Sequence, residues 1–218
     1  MKIPSLSTIN ALLKISHPTK TDWYRAVRPR FVKKPSALAT RHTKTIPGRY
    51  NDGTLAKPGF SVLYLAENHI VALFEVEALV GSPVVVSSIY PHPGGATWTV
   101  LKVNVSLQKV ADLTKLHQQS IFGANAQELT GDWRAYGYRS PGTTSVGLPS
   151  GFPAPTQKLG AALHNVPDLE GFETISAKVP HQRILVVFPD KLHSQSKVKF
   201  LDEESGDEWE LGSGNDQV

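Results

Sequence analysis

Two carboxylates are set apart by their surroundings. Between His69 and Val80 the chain reads HIVALFEVEALV, apolar on almost every side, yet it carries Glu75 and Glu77. At helical spacing, residues two apart lie about 200° apart around the axis, so they do not share one solvent face. At least one is therefore shielded, and a shielded carboxylate is costly unless something charged or polar meets it. The alternative is that both reach a solvated edge. Other chemistries are poorly served. There is no cysteine, and the eight histidines are scattered without an HxH or HExxH spacing, so no metal site is expected. No GxGxxG follows a strand, and there is no Walker-type loop or GxSxG turn.

The elements that must position these acids are legible around them. Gly48-Arg49-Tyr50-Asn51 leads into a Gly- and Pro-punctuated loop, Asp52 to Gly59. Ser61 to Ala66 (SVLYLA) reads as a short strand. Asn68 is placed to cap a helix over residues 69–80, with Gly81 as its C′ residue. Upstream, Ser5 to Ile15 spaces Leu6, Ile9, Leu12 and Leu13 on one helical face, and Trp23 to Val27 is strand-like. Downstream, Pro83 to Tyr90 and the alternating stretch Ala96 to Leu107 predict a long hairpin about the Pro91–Gly95 turn. A helical turn is expected over Asp112 to His117. A helix over Asn125 to Tyr136 would pair Leu129 with Trp133, and a second, capped by Thr156, would run through Leu163. Arg139 to Pro155 is the expected mobile loop. Phe172 to Ala177 and the apolar, hence central, Ile184 to Phe188 are strands, and Lys197 to Leu201 with Glu208 to Leu211 form a terminal hairpin. The pattern is a strand-rich α+β domain with helices at its edges, not a βαβ alternation.

Length and charge bound the rest. A chain of 218 residues suits one domain, 1–218, with its own core. No window is apolar enough to span a membrane, and Pro4, Ser5, Ser7, Thr8 and Asn10 interrupt any signal-peptide core. The lack of cysteine suits a reducing cytosol, so a cytoplasmic location is expected. The net charge of +4 is uneven: nine Lys or Arg lie between Lys20 and Arg49 against Asp22 alone, while the tail from Asp202 is wholly acidic. A basic segment of this kind attracts a pyrophosphate, a nucleic-acid backbone or an acidic partner, or is simply solvated and partly neutralised by the tail. Nothing reads as a nucleic-acid-binding helix, and direct nucleic-acid binding is not expected.

GRYN, then VLYLAE, then a helix reading AL-x-E resembles the RES domain, the toxin half of RES–Xre toxin–antitoxin pairs, named for an Arg, a Glu and a Ser. LTGDWRAY, PTQKLGAAL and EGFETISAKVPHQRILVVFP extend the resemblance over roughly residues 23 to 190. It puts the three name residues on Arg49, Glu75 and Ser176, with Tyr64 as a further site residue and Arg25 of WYR as a second arginine.

The resemblance implies a core similar to ADP-ribosyltransferase folds, NAD as substrate, no metal, and cleavage of the nicotinamide–ribose bond by hydrolysis or phosphorolysis. An Xre-type helix-turn-helix antitoxin is the implied partner. The residue types suit that chemistry. Breaking this bond leaves an oxocarbenium-like sugar that one carboxylate, Glu75, stabilises. A planar guanidinium reaches several pyrophosphate oxygens at once, which fits Arg49 first and Arg25 second. Nicotinamide packs on an aromatic face, Tyr64 or Tyr50, and Ser176 can hydrogen-bond substrate or Glu75. Glu77 is expected to be a bystander. Two alternatives stay open: ADP-ribose transfer to a protein target, and a non-enzymatic module that binds through the basic segment.

Overall fold

The computed structural model describes residues 6–32, 36–78, 97–136, 153–203 and 205–211. Helix α1 (Leu6–Ile15) leads directly into strand β1 (His17–Val27), longer than its Trp23–Val27 sequence signal, with Pro18 near the strand start where proline is tolerated. Strand β2 (Leu63–Ala66), helix α2 (His69–Glu75) and the long strand β3 (Thr99–Asp112) follow. Three short helices come next: α3 (Leu116–Ile121), α4 (Ala126–Thr130) and α5 (Pro155–His164). Strands β4 (Gly171–Ile175), β5 (Arg183–Val187), β6 (Lys197–Leu201) and β7 (Glu208–Leu211) follow.

The strands form one sheet in the order β1-β2-β5-β4-β3-β6-β7, closed on itself by an additional β1–β3 pairing. All contacts are antiparallel except β3 with β4. Strand β3 pairs with β1 from Val27↔Thr99 to His17↔Val110, a pairing not expected from the sequence. Residues 83–90 and the 91–95 turn lie outside the described residues, as does 139–152 of the expected loop. β1 and β2 meet at a single pair, Tyr24↔Ala66.

Period-2 alternation divides the apolar residues between two cores. Leu185 and Val187 of β5 join Trp23, Leu63, Leu65, Leu101, Val103 and Val105 inside the closed sheet. Ile184 and Val186 turn to the other face, where Val71, Leu129, Leu159, Phe172 and Phe188 pack under the helices. β5 is thus covered on both faces, as its uninterrupted apolar run predicts. The β6–β7 hairpin is as expected, and its acids pair locally: Glu208 and Glu210 meet Lys199 of the adjacent strand and, among the described residues, not the basic segment. Among the described residues no helix is long and apolar enough to cross a membrane.

Candidate functional site

The GRYN turn is fixed from three sides. Gly48 N donates to Asn51 O at 2.9 Å, closing it. The Asn51 side chain donates to Thr43 O (2.7 Å) and Ile46 O (3.0 Å) and accepts from the Tyr64 hydroxyl (2.9 Å). From α5, Gln157 Nε2 donates to Gly48 O at 3.0 Å. Gly160 lets that helix close in: a Cβ there would lie 1.9 Å from Tyr50 O. Alternation within the turn then sorts its side chains. Tyr50 goes inward, 1 % exposed, with its hydroxyl 3.1 Å from Thr174 Oγ1, and burial pushes that phenol up to about 12. Arg49 goes outward, and its Nη1 donates to Leu129 O (3.0 Å) and Gly131 O (2.8 Å) at the C-terminal end of α4.

Helix α2 opens as predicted, with Asn68 Oδ1 accepting from Val71 N at 3.0 Å. It closes earlier than the sequence suggests. Glu77 adopts φ +59°, Glu77 N donates to Phe74 O and Ala78 N to Leu73 O, each at 2.9 Å, which is a Schellman cap with Glu in the usual glycine position. The predicted helix to Val80 is therefore cut at Glu75, and the 200° argument no longer separates the two acids. Residues 79–81 lie outside the described residues.

Each acid then meets the loop after β4. Ser176 Oγ donates to Glu75 Oε1 at 2.6 Å while accepting from Lys178 N (3.1 Å) and Val179 N (3.0 Å). Two residues on, Lys178 Nζ donates to Glu77 Oε1 at 2.8 Å, and Arg134 Nη1 reaches the same oxygen at 3.2 Å. The Lys178 hydrogen bond, opposed by partial burial and helped by Arg134, holds the Glu77 carboxyl below its usual range.

A cavity of about 330 Å³ opens where β1 and β2 meet. Arg25, Arg49, Tyr64 and Glu75 line it together. Tyr50 does not; it lies beneath Tyr64, ring centroids 6.5 Å apart. Ser176, 2 % exposed, stands behind Glu75 instead of in the wall. Arg25 donates from Nη1 to Ala37 O and from Nη2 to Ala39 O, each 3.1 Å, and makes no ion pair among the described residues. Burial without a counter-charge lowers its guanidinium to about 10. The Tyr64 hydroxyl donates to Asn51 and accepts from Tyr50 N; burial, only partly offset by the Tyr50 N–H donor, raises its phenol well above the ordinary tyrosine range, and the ring serves as a wall.

Trp133, Arg134, Lys178 and His42 also line the cavity, and sequence reasoning did not select them. The signal for Trp133 was Gly131: α4 stops at Thr130, so Trp133 leaves the expected helix and enters the wall. Burial, then the charge of Arg25, lowers the His42 pKa. The result is a cavity lined by two hydrogen-bonded carboxylates, Glu75 and Asp132, several cations and the rings of Tyr24, Tyr64 and Trp133. Among the described residues no cluster of His, Cys, Asp and Glu could hold a metal ion.

Comparison with known proteins places the chain. The RES domain matches residues 22–211. No curated protein matches the chain. Among solved structures, the crystal structure of the M. tuberculosis MbcT–MbcA toxin–antitoxin complex matches with a TM-score of 0.61 at 17 % identity, covering 95 % of this chain and 91 % of that chain. At that identity the likeness concerns the fold.

Proposed function

Since the chain belongs to the RES domain family, we propose that it is an NAD-consuming toxin that cleaves the nicotinamide–ribose bond. The observation that carries this is the meeting of Glu75, held by Ser176 at 2.6 Å, with Arg25, Arg49 and Tyr64 around one cavity. As the C–N bond breaks, its electron pair leaves with nicotinamide and positive charge develops on the ribose ring. The Glu75 carboxylate opposes that charge in a site partly shielded from water. Capture by water, with loss of a proton, gives ADP-ribose; capture by phosphate gives its 1″-phosphate. Arg49 and Arg25 bias the cavity toward the pyrophosphate, and the Tyr64 and Trp133 rings offer faces for planar groups.

The solved neighbour is a toxin bound to its antitoxin. The same division is proposed here, with an Xre-type helix-turn-helix protein occluding the cavity and a cytoplasmic site of action, where NAD is abundant. Transfer to a protein would draw on a second acid beside Glu75. Glu77 is instead engaged by Lys178 and Arg134, which favours a small acceptor.

The test is incubation of pure protein with NAD, with and without phosphate, followed by product analysis. Nicotinamide release is expected, and the accompanying product identifies the acceptor. Intact NAD after prolonged incubation refutes cleavage. In cells, expression should arrest growth with loss of NAD, relieved by the helix-turn-helix partner.

A further inference from the structure

The two arginines that the sequence singles out are anchored to backbone carbonyls, which fixes their guanidinium groups. Arg25 donates from Nη1 to Ala37 O and from Nη2 to Ala39 O, and Arg49 bridges Leu129 O and Gly131 O through Nη1. Two other cations on the cavity wall are differently placed. Arg134, from the segment after α4, and Lys178, from the loop after β4, converge on one oxygen, Glu77 Oε1. Their side chains keep 54 % and 36 % of their exposure. An ammonium has three N–H donors and a guanidinium five, so holding Glu77 leaves further donors on each.

Glu77 holds them from an unfavourable backbone. Its φ of +59° lies where glycine is preferred, and a side chain is kept there against a steric penalty. Strain of this kind beside a cavity points to a carboxylate kept for what it holds. The hold is also in register with the reactive acid: Glu75 ties to Ser176, and two residues on Glu77 ties to Lys178, giving two parallel rungs between the end of α2 and the β4 loop.

Building on the NAD assignment above, we propose that Arg134 and Lys178 dock the pyrophosphate of the dinucleotide, and that Glu77 is a positioning residue that presets both. The pair is drawn together before substrate arrives, so less side-chain freedom is lost on binding. Arg25 and Arg49 then supply fixed charge around the anion, while Arg134 and Lys178 supply the adjustable donors.

The test uses ADP-ribose, which carries the pyrophosphate but lacks the bond to be cleaved. Calorimetric titration compares the unaltered chain with Lys178→Ala and Glu77→Gly. Each substitution should weaken ADP-ribose binding about tenfold or more, the scale of one charge-assisted hydrogen bond. Glu77→Gly should stay folded and melt within a few degrees of the unaltered chain, because relief of the φ penalty offsets the loss of two partly exposed ion pairs. A loss of affinity therefore cannot be assigned to unfolding. With NAD, both variants should raise KM about tenfold and leave kcat within about threefold. Unchanged ADP-ribose affinity in both variants, no binding by the unaltered chain, or a loss confined to kcat would each overturn the docking role. NAD turnover by the unaltered chain is read in parallel. A chain that binds ADP-ribose through Lys178 yet leaves NAD intact would end the cleavage assignment and keep the docking site.

Discussion

Replacing Ser176 by Ala isolates the support of the reactive acid from the acid itself. The change removes the 2.6 Å hydrogen bond to Glu75 Oε1 and leaves Lys178 N and Val179 N without the Oγ that accepts from them at 3.1 and 3.0 Å. With Ser176 buried, loss of this acceptor should cost about 2 kcal/mol of stability, within the range for stranding buried donors. The hydrogen bond to Glu75 is made to an ionisable partner, worth about 1.5–3 kcal/mol net. Only the part realised as better placement in the transition state reaches the rate, so kcat should fall about tenfold, near 1.4 kcal/mol. Ser176 does not line the cavity, so the KM for NAD should stay within about threefold. Steady-state nicotinamide release and a thermal melt on the same preparation give all three values. A variant with a lowered melting temperature but wild-type kcat would show that Ser176 is structural only. One that loses as much rate as removal of the Glu75 charge would show that Ser176 itself meets substrate.

Two further substitutions probe the GRYN turn. Arg49→Lys keeps the charge but cannot bridge Leu129 O and Gly131 O while presenting a planar fork, so the apparent affinity for NAD should weaken about tenfold; unchanged affinity removes Arg49 from the site. Gly160→Ala puts a Cβ against Tyr50 O, where 1.9 Å is available, and should destabilise the fold by about 3 kcal/mol as α5 is pushed off the turn. A melting temperature equal to that of the unaltered chain would contradict this packing.

What was legible in the sequence was mostly local. Asn68 caps α2, β5 is central, and the β6–β7 hairpin forms, because capping chemistry, apolar runs and turn composition act over a few residues. The partner of β3 was not legible: its pairing with β1 spans some eighty positions in sequence, and alternation fixes which face is buried, not which strand lies alongside. The end of α2 was missed because Glu77 takes the glycine role in a Schellman cap, and the ion pairs that compensate come from distant loops. Tyr50 and Tyr64 looked equivalent as aromatic faces. Only the three-dimensional turn shows that one points into the core and the other into the cavity. Ser176 shows the converse: its hydrogen bond to Glu75 joins residues far apart in sequence, and only the family resemblance brought them together.

The central claim is that the negative charge of Glu75 drives cleavage of NAD, and Glu75→Gln tests it most directly. The amide keeps the shape and can still pair with Ser176, but it no longer opposes charge on the ribose. Single-turnover nicotinamide release should fall about 10²-fold or more, the scale of losing one well-placed electrostatic group, with NAD affinity little changed and the fold intact. Retained turnover in a folded Glu75→Gln protein would contradict the account.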